Sequence, residues 1–364
     1  MSYGVTGSKV YKQDTFSLSF AGDLYHYAQA SGLDGTDNQL ALTWQHKLSK
    51  HLKFGFKESL QEYNRNNLLT SGANFINSGV GTTLVTATPT TEVFDGRVIT
   101  AMTQGDITWQ QSARLSINLT GSGFLTRRAS TALYGDTGSQ AGADVAYRIT
   151  RRQTIGTYYS FTHFDYNGLY GGSDINTVGF TYSIALNPRT QIIARLGASR
   201  LETTALQTIA LDPVIALLLG TQATVEATYA VRYVPDINVQ FRHKVSNLNF
   251  SASYSRGVTP GNGIILTSIR QSGSAGVNYK AMRHWNLAST VGYDALSGSD
   301  ANGLRYSSVF FGGSVYRTIH RNLEWHTRVD FHHYTFDNTG FLRNSTILST
   351  GIVWTPEDVL NRPW

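Results

Sequence analysis

The chain has 364 residues, of which 15% are charged and 41% hydrophobic, and it carries a formal net charge of +6 and no cysteine. The length fits one large domain or two to three ordinary ones, and the charged fraction lies well below that of a typical soluble protein. The absence of cysteine excludes a disulfide-stapled secreted domain. Low charge combined with 35 glycines and 20 tyrosines favours an envelope protein of a Gram-negative bacterium.

The first residues, MSYGVTGSKVYKQD, lack the hydrophobic core of a secretory signal. The longest apolar run, VIALLLG at 214–220, has seven residues, whereas a transmembrane helix needs about 20. If the chain spans a membrane, it must therefore do so as a β-barrel, which satisfies its backbone hydrogen bonds between strands.

Hydrophobic residues alternate with polar ones along almost the whole chain, which is the pattern of β-strands with one buried and one hydrated face. In chain order, the clearest alternating runs are 15–25, 37–48, 114–126 and 236–245. They are longer than the 5–6 residues common in soluble strands. Tilted membrane-spanning strands need about 9–11 residues, so the lengths favour a membrane.

Short basic links alternate with longer links rich in Gly, Asn, Asp, Ser and Thr. The short links are at 48–52, 111–115, 149–153, 186–190, 245–249, 281–285 and 318–322. The longer links are at 31–36, 65–96, 128–138, 167–173, 203–235, 257–263, 297–303 and 337–341. This asymmetry is typical of outer-membrane barrels with short periplasmic turns and long extracellular loops. It predicts about 16 strands, with 18 as the alternative, and an even number places both termini in the periplasm.

A weak repeat joins YRITRRQTIGTYYSFTHF, YKAMRHWNLASTVGYDA and YRTIHRNLEWHTRVDFHHY. A repeat of about 40 residues could also indicate a soluble propeller, but the Trp-Asp signature of such blades is missing. A soluble β-sandwich is the other alternative. Charges on the polar face would be costly in the core of a sandwich, whereas a hydrated lumen accommodates them.

The polar face of the expected strands carries charges of both signs. The residues predicted to line the pore are Lys53, Lys57, Asp106, Asp144, Arg148, Arg195, Arg242, Lys244, Asp294, Glu324, His326, Arg328, Asp330 and His332, and Lys280 lies on the same face. About 16 strands enclose too wide a space for side chains to fill, so we expect an aqueous channel or a plug. The basic surplus predicts a mild preference for anionic solutes; alternatively, opposite charges pair across neighbouring strands and hold the wall.

Aromatic residues and basic turns indicate where such a barrel meets its surroundings. Candidate members of interfacial aromatic girdles are Tyr25, Tyr27, Trp44, Tyr147, Tyr158, Tyr159, Tyr279, Trp285, Tyr316 and Trp325. Lysine and arginine at the short turns suit the phosphates of membrane lipid or, alternatively, the acidic rim of a periplasmic partner. Nucleic-acid binding is not expected, because the basic residues are dispersed and no binding motif is present.

Two long links, 65–96 and 203–235, are candidates for an inward-folded loop that narrows the pore. The second contains the apolar run IALDPVIALLLG, which would seek burial in the mouth or against a partner. A short surface helix packed on the loops is the alternative for this run.

Enzyme motifs are missing: the sequence has no GxSxG, HExxH, P-loop or paired-cysteine pattern. Asp330 with His332, and Asp165 with His163, could each form half of a catalytic dyad, because residues two apart share one face of a strand. His326 and His332 are about 20 Å apart on an extended strand, too far to share one metal ion. We therefore expect no catalytic residue, metal or cofactor.

The basic-turn hairpins, SASYSRGVTPGNG at 251–263 and the last strand ending at Trp354 resemble outer-membrane β-barrel porins found near exopolysaccharide export loci. The resemblance implies an outer-membrane channel that could be the exit of a secreted polysaccharide, working with periplasmic export components at the basic turns. It offers no catalytic residues. The tail TPEDVLNRPW at 355–364 departs from barrels that end on a terminal aromatic strand.

The sequence thus predicts one domain over 1–364: a transmembrane antiparallel up-and-down β-barrel in the bacterial outer membrane. Residues 1–14 would be an N-terminal periplasmic segment and 355–364 a C-terminal periplasmic tail. The predicted function is a channel for hydrophilic solutes or a polysaccharide. A structural or adhesive barrel with a plugged lumen, whose loops bind a partner, is the alternative, and a hydrolase embedded in a barrel is the third.

Overall fold

The structure is a computed structural model of the chain. It describes residues 2–25, 35–64, 97–131, 133–169, 171–210, 223–282, 284–298, 304–320, 323–336 and 341–354. Every regular element in this part of the chain is a β-strand. No helix within it is long and apolar enough to cross a membrane.

Seventeen strands follow one another in the described residues. They are β1 (Ser2–Val10), β2 (Asp14–Tyr25), β3 (Gly35–Lys47), β4 (Leu52–Asn64), β5 (Arg97–Trp109), β6 (Leu115–Arg128), β7 (Asp136–Arg148), β8 (Gln153–Tyr166) and β9 (Gly171–Asn187). The others are β10 (Thr190–Ala210), β11 (Ala223–Val245), β12 (Leu248–Gly261), β13 (Leu266–Met282), β14 (Trp285–Gly298), β15 (Arg305–His320), β16 (Leu323–Phe336) and β17 (Phe341–Trp354).

Each strand pairs antiparallel with the next, from β1 through β17. This up-and-down order is the simplest topology for a long run of alternating strands, because a hairpin needs only a short turn. At one end of the sheet, which we call the turn end, every connection has two to five residues, and every one of the seven predicted short links falls there. The other end, which carries connections such as 26–34 and 65–96, is called the loop end.

Three expectations about the chain's course need correction. Ser2–Val10, part of the expected N-terminal segment, forms β1, so the strand count is one above 16. Because Ser2 pairs with Asp23 near the loop end, the two ends of the described chain lie at opposite ends of the sheet. Much of the expected loop 203–235 is strand, because β10 continues to Ala210 and β11 begins at Ala223. The expected loop at 257–263 shrinks to four residues, since β12 continues to Gly261. The loop 65–96, the run 214–220 and the tail 355–364 lie outside the described residues.

The two faces of the sheet differ as the alternation predicts. One face presents exposed apolar side chains, which include Leu18, Leu42, Leu60, Ile107, Leu119, Val145, Ile155, Phe180, Leu196, Tyr254, Val291, Phe311, Val329 and Leu348. The other face carries the charged and hydroxyl-bearing residues of the same strands. Because soluble proteins rarely expose so continuous an apolar surface, the first face is suited to lipid.

The sheet is strongly curved. Ile265, just before β13, packs in a cluster with Tyr334 of β16, whereas the adjacent Leu266 packs against Phe164 of β8. In a flat sheet, β8 and β16 would be about 38 Å apart, at about 4.8 Å per strand. Two neighbouring residues can touch both only if the sheet wraps around them. The polar face is therefore the concave face, and the apolar face is the convex one.

Candidate functional site: the concave face and its mouth

All of the residues predicted to line a pore lie on the concave face. On each strand they alternate with the exposed apolar residues: Lys53, Lys57, Asp106, Asp144, Arg148, Arg195, Arg242, Lys244, Asp294, Glu324, His326, Arg328, Asp330 and His332. Lys280 lies on this face as well. Their burial depends on depth. Asp294, Asp330 and His332 toward the loop end are buried, whereas Lys53, Arg148 and Lys244 at the turn end are exposed. That these side chains line an open pore stays a prediction.

A network of polar side chains crosses the concave face from β7 to β11. The Arg195 guanidinium lies 3.6 Å from an Asp144 carboxylate oxygen and 3.5 Å from the centroid of the Tyr158 ring. The Tyr158 hydroxyl in turn donates a hydrogen bond of 2.5 Å to Asp236. A cation over an aromatic ring and a hydrogen bond to a carboxylate are both stronger away from bulk water. The network therefore joins β7, β8, β10 and β11 across the intervening β9.

Two glycines give Tyr158 its path to Asp236. The residues between them on the concave face are Gly179 of β9 and Gly197 of β10, which lie directly opposite each other in register. A Cβ at Gly179 would stand 2.7 Å from a Tyr158 ring carbon, and one at Gly197 would collide with the phenol oxygen. Glycine is thus required at both positions because the ring lies flat on the backbone there.

Two further ion pairs lie on the other side of the concave face. Arg270 donates to Asp294 at 2.7 Å, and Arg328 lies 2.6 Å from Asp330. Because both carboxylates are buried, these pairs compensate charges that would otherwise be costly to desolvate. Arg270 and Asp294 pair across neighbouring strands, as the alternative of wall-holding charge pairs expects, whereas Arg328 and Asp330 lie on one strand. Whether such pairs or an open pore account for the charges stays a prediction.

The mouth at the loop end is occupied by the hairpin tip of β12 and β13, residues 257–268. Pairing between β11 and β12 stops at Ile237 opposite Arg256, although both strands continue. Beyond that point the tip leaves the wall and lies on the concave face. Thr259, Thr267 and Ser268 within it are fully enclosed, with at most 1% of their surface exposed.

Hydrogen bonds fix the tip to strands β8 and β9 and to the link between β6 and β7, on the side of the wall that faces β12 and β13. The Tyr166 hydroxyl of β8 donates to the Pro260 carbonyl at 3.0 Å and lies 2.7 Å from the Thr267 hydroxyl. The Thr267 hydroxyl also lies 2.8 Å from that of Ser173 on β9. The Tyr134 amide, in the link between β6 and β7, donates to the Gly263 carbonyl at 3.2 Å. These bonds replace the ladder that β12 gives up.

Apolar contacts bury both sides of the tip. On one side Ile265 packs with Leu296, Tyr306, Tyr334 and Phe336. On the other side Val258 and Leu266 pack against Phe164, Tyr166, Ile175 and Leu201. Burial of several large side chains at roughly 1.5–3 kcal/mol each holds the tip firmly in place. The described residues therefore fill the loop end of the concave space, whereas the basic side chains at its turn end are exposed.

The turn of the tip has a backbone suited to a compact plug. Gly261 and Gly263 adopt φ of +88° and +87°, a region that favours glycine. The Asn262 side chain accepts hydrogen bonds from the amides of Ile264 and Ile265, at 3.2 and 2.8 Å. The sequence PGNG, which reads as an exposed loop, thus codes for a self-bonded turn that can be buried.

The histidines of β16 divide between the faces as the alternation predicts. His326 and His332 are concave, and His332 stacks on Phe310 and Tyr334 with ring centroids 5.7 Å away in each case. The second proposed dyad lies on the convex face, where His163 contacts Asp174 at 2.7 Å and Asp165 at 3.0 Å. Within the described part of the chain, no group of three or more His, Cys, Asp or Glu residues could hold a metal ion.

Sequence reasoning missed several residues of this site. Tyr158 was expected in an interfacial girdle, but it lies on the concave face and is 2% exposed. Its neighbour Tyr159 was the available signal, because adjacent strand residues face opposite sides and only one of the two tyrosines can face lipid. Tyr316 is likewise concave, stacked on His326. Asp236 begins the alternating run 236–245, but it was not among the residues predicted to line the pore. The inward position of 257–268 was not predicted, because no local signal distinguishes it from an exposed turn; the candidate inward loop at 65–96 lies outside the described residues.

Comparison with known proteins bears on the fold of the chain. No protein-family model matches the sequence, and no curated protein matches it. Among solved structures, the unliganded ferric citrate transporter FecA matches over 98% of this chain and 61% of its own length, with a TM-score of 0.53 and 8% identity. The open form of the ferric-catecholate import receptor Fiu from E. coli K12 matches over 96% of this chain and 72% of its own, with a TM-score of 0.51 and 7% identity.

The chain therefore spans less than two thirds of the length of FecA, and 64% of the closed form of Fiu. At such low identity the likeness shows the fold alone. Together with the unbroken series of antiparallel pairings, it confirms the predicted class: an all-β, up-and-down sheet of the outer-membrane β-barrel type.

Proposed function

We propose that this chain is an outer-membrane transport protein that conducts a hydrophilic solute across the bilayer through the space enclosed by its concave face. One observation carries the proposal: on strand after strand, exposed apolar residues face outward and charged residues face inward. A bilayer solvates the first face and water the second, and no soluble arrangement satisfies both.

Aromatic residues at the turn end support the position in a membrane. Trp44, Trp109, Tyr147, Tyr279, Trp285 and Trp325 lie on the convex face close to the short turns. Tryptophan and tyrosine favour the boundary between lipid tails and headgroups. Beyond this belt lie exposed basic turn residues, which include Lys50, Arg151 and Arg189, and these suit lipid phosphates.

Buried polar atoms on the concave face support a hydrated interior. Asn286 Oδ1, Asp144 Oδ2 and Asp294 Oδ2 are buried and have no hydrogen-bond partner among the described residues. Leaving such atoms unpaired is costly unless water reaches them. A water-filled lumen supplies that water.

The finer proposal for the solute is a secreted polysaccharide, which follows from the resemblance of the sequence to porins found near exopolysaccharide export loci. The similar structures are those of a ferric-catecholate import receptor and a ferric citrate transporter. The solute is best assigned by comparing the uptake or release of labelled oligosaccharides and ferric chelates from proteoliposomes.

A plugged barrel is the second candidate, because the tip at 257–268 fills the loop end. Single-channel recording in planar bilayers separates the two functions. We expect the wild-type chain to give discrete current steps, and a variant in which a two-residue Asn-Gly turn replaces 259–268, which keeps Val258 opposite Ile269, to give larger ones. A silent wild type with a conducting tip variant indicates a plugged barrel. If both the wild type and the tip variant insert into the bilayer and neither gives a current, the channel proposal is contradicted.

A further inference from the structure

The turn end of the concave face has an unbalanced charge. Five basic side chains lie on this face within three residues of the turn end of their strands: Lys47, Lys53, Arg148, Lys244 and Lys280. Among the described residues, Glu324 is the one acidic counterpart at this depth. One step deeper, Arg242 and Asp106 add one charge of each sign. Among the described residues, the turn end of the concave face is thus strongly cationic; we call these five basic residues the turn-end ring.

The charges of the ring contrast with those near the mouth. Deeper on the concave face, Arg195, Arg270 and Arg328 each lie close to an aspartate. The side chains of the ring are all exposed, and none forms an ion pair with a described residue. Their field is therefore available to a solute in the lumen.

The register of β3 and β4 points in the same direction. Lys47 and Lys53 lie directly opposite each other and on the same face. Like charges opposite each other destabilise an antiparallel pair. An anion between them removes this repulsion, so the pair has the form expected of a binding position and not of a wall contact.

We propose that the turn-end ring is an anion-recruiting vestibule, and that the solute of this lumen carries carboxylate or phosphate groups. This inference rests on the proposed channel and adds its substrate class. Charges around a water-filled opening with low-dielectric walls concentrate ions of opposite sign at that opening. Membrane lipid cannot occupy the ring, because the five side chains face the lumen.

The test is binding of fluorescent oligogalacturonate, and separately of polyphosphate, to the full chain in detergent, with a neutral dextran oligomer as reference. The variant is Lys47→Gln with Lys53→Gln, Lys244→Gln and Lys280→Gln. The matched control removes equal charge from the turns: Lys12→Gln, Lys50→Gln, Arg151→Gln and Arg189→Gln, all exposed in the structure. Lys244→Glu alone serves as a milder variant if the fourfold change impairs folding.

We expect at least one of the two polyanions to bind wild type and the control, to bind the ring variant about tenfold more weakly, and dextran not to bind. The polyanion that binds identifies carboxylate or phosphate chemistry. Equal weakening in both fourfold variants, or in the control alone, overturns the inference, as does a wild type that binds neither polyanion. Binding is measured without current, so the two proposals fail separately. If the chain conducts but binds no polyanion, only the anion-recruiting vestibule is rejected. If it binds a polyanion but does not conduct, only the channel is rejected.

Discussion

At the scale of residues, the concave face depends on side chains that reach over their neighbours. Tyr158 crosses two strands to Asp236 because Gly179 and Gly197 leave room for its ring. Arg195 then lies over the same ring and near Asp144. The hydrogen bond from Tyr158 on β8 to Asp236 on β11 could not form in a flat sheet, because the two strands would be too far apart. The curvature of the wall therefore allows this bond, and the bond in turn stabilises the curvature.

We predict that Tyr158→Phe lowers the free energy of unfolding by about 1–2 kcal/mol, because it removes a hydrogen bond to a carboxylate. The control is Tyr159→Phe, whose hydroxyl donates to Asn176 on the exposed convex face and whose loss should cost less than about 0.5 kcal/mol. The temperature at which the folded band disappears on unboiled gels measures both. Equal shifts for the two variants would show that the transverse network does not stabilise the wall.

Sequence alternation was sufficient to place every predicted charged residue on its face, because one face of each strand must be apolar to meet lipid. It could not place Tyr158 in the lumen, since aromatic residues favour both strands and interfaces. It also could not pair Arg195 with Asp144, because partners on strands three apart are set by curvature and register, which are properties of the assembled sheet.

At the scale of elements, the inward position of the β12–β13 tip is the feature that the sequence did not predict. Length pointed to 65–96 and 203–235, but β10 and β11 use much of the latter as a long hairpin. The tip at 257–268 has the composition of an ordinary exposed turn. Its place in the lumen depends on distant residues such as Phe164 and Tyr334, and no local pattern encodes those contacts.

The tip can be fixed to the wall by a designed disulfide, because the chain contains no native cysteine. The hydroxyls of Ser173 and Thr267 are 2.8 Å apart, so Ser173→Cys with Thr267→Cys should oxidise readily. Mass spectrometry of the free thiols measures the bond. The control pairs Ser173→Cys with Ser274→Cys, because Ser274 contacts Ser253 lower on the hairpin and should stay reduced. If the first pair also stays reduced, the tip does not lie against β9.

At the scale of the whole molecule, the charges divide the lumen into two zones. Near the loop end, arginine–aspartate pairs and two apolar clusters close the space around the tip. Near the turn end, lysines and Arg148 on the concave face are exposed in the part of the chain that the structure describes. A solute entering at the turn end would meet the cationic zone first and the tip last. Selectivity and closure are therefore assigned to different ends of one wall.

The central claim is that the concave face bounds a water-filled path through a bilayer, and single-cysteine labelling in liposomes tests it most directly. The matched neighbours are Leu119→Cys with Thr120→Cys on β6, and Val291→Cys with Thr290→Cys on β14. A hydrophilic maleimide should modify the cysteines at the two threonine positions, which face the lumen, and spare those at Leu119 and Val291, which face lipid. Equal labelling within each pair, or labelling of the leucine and valine positions alone, would contradict the account.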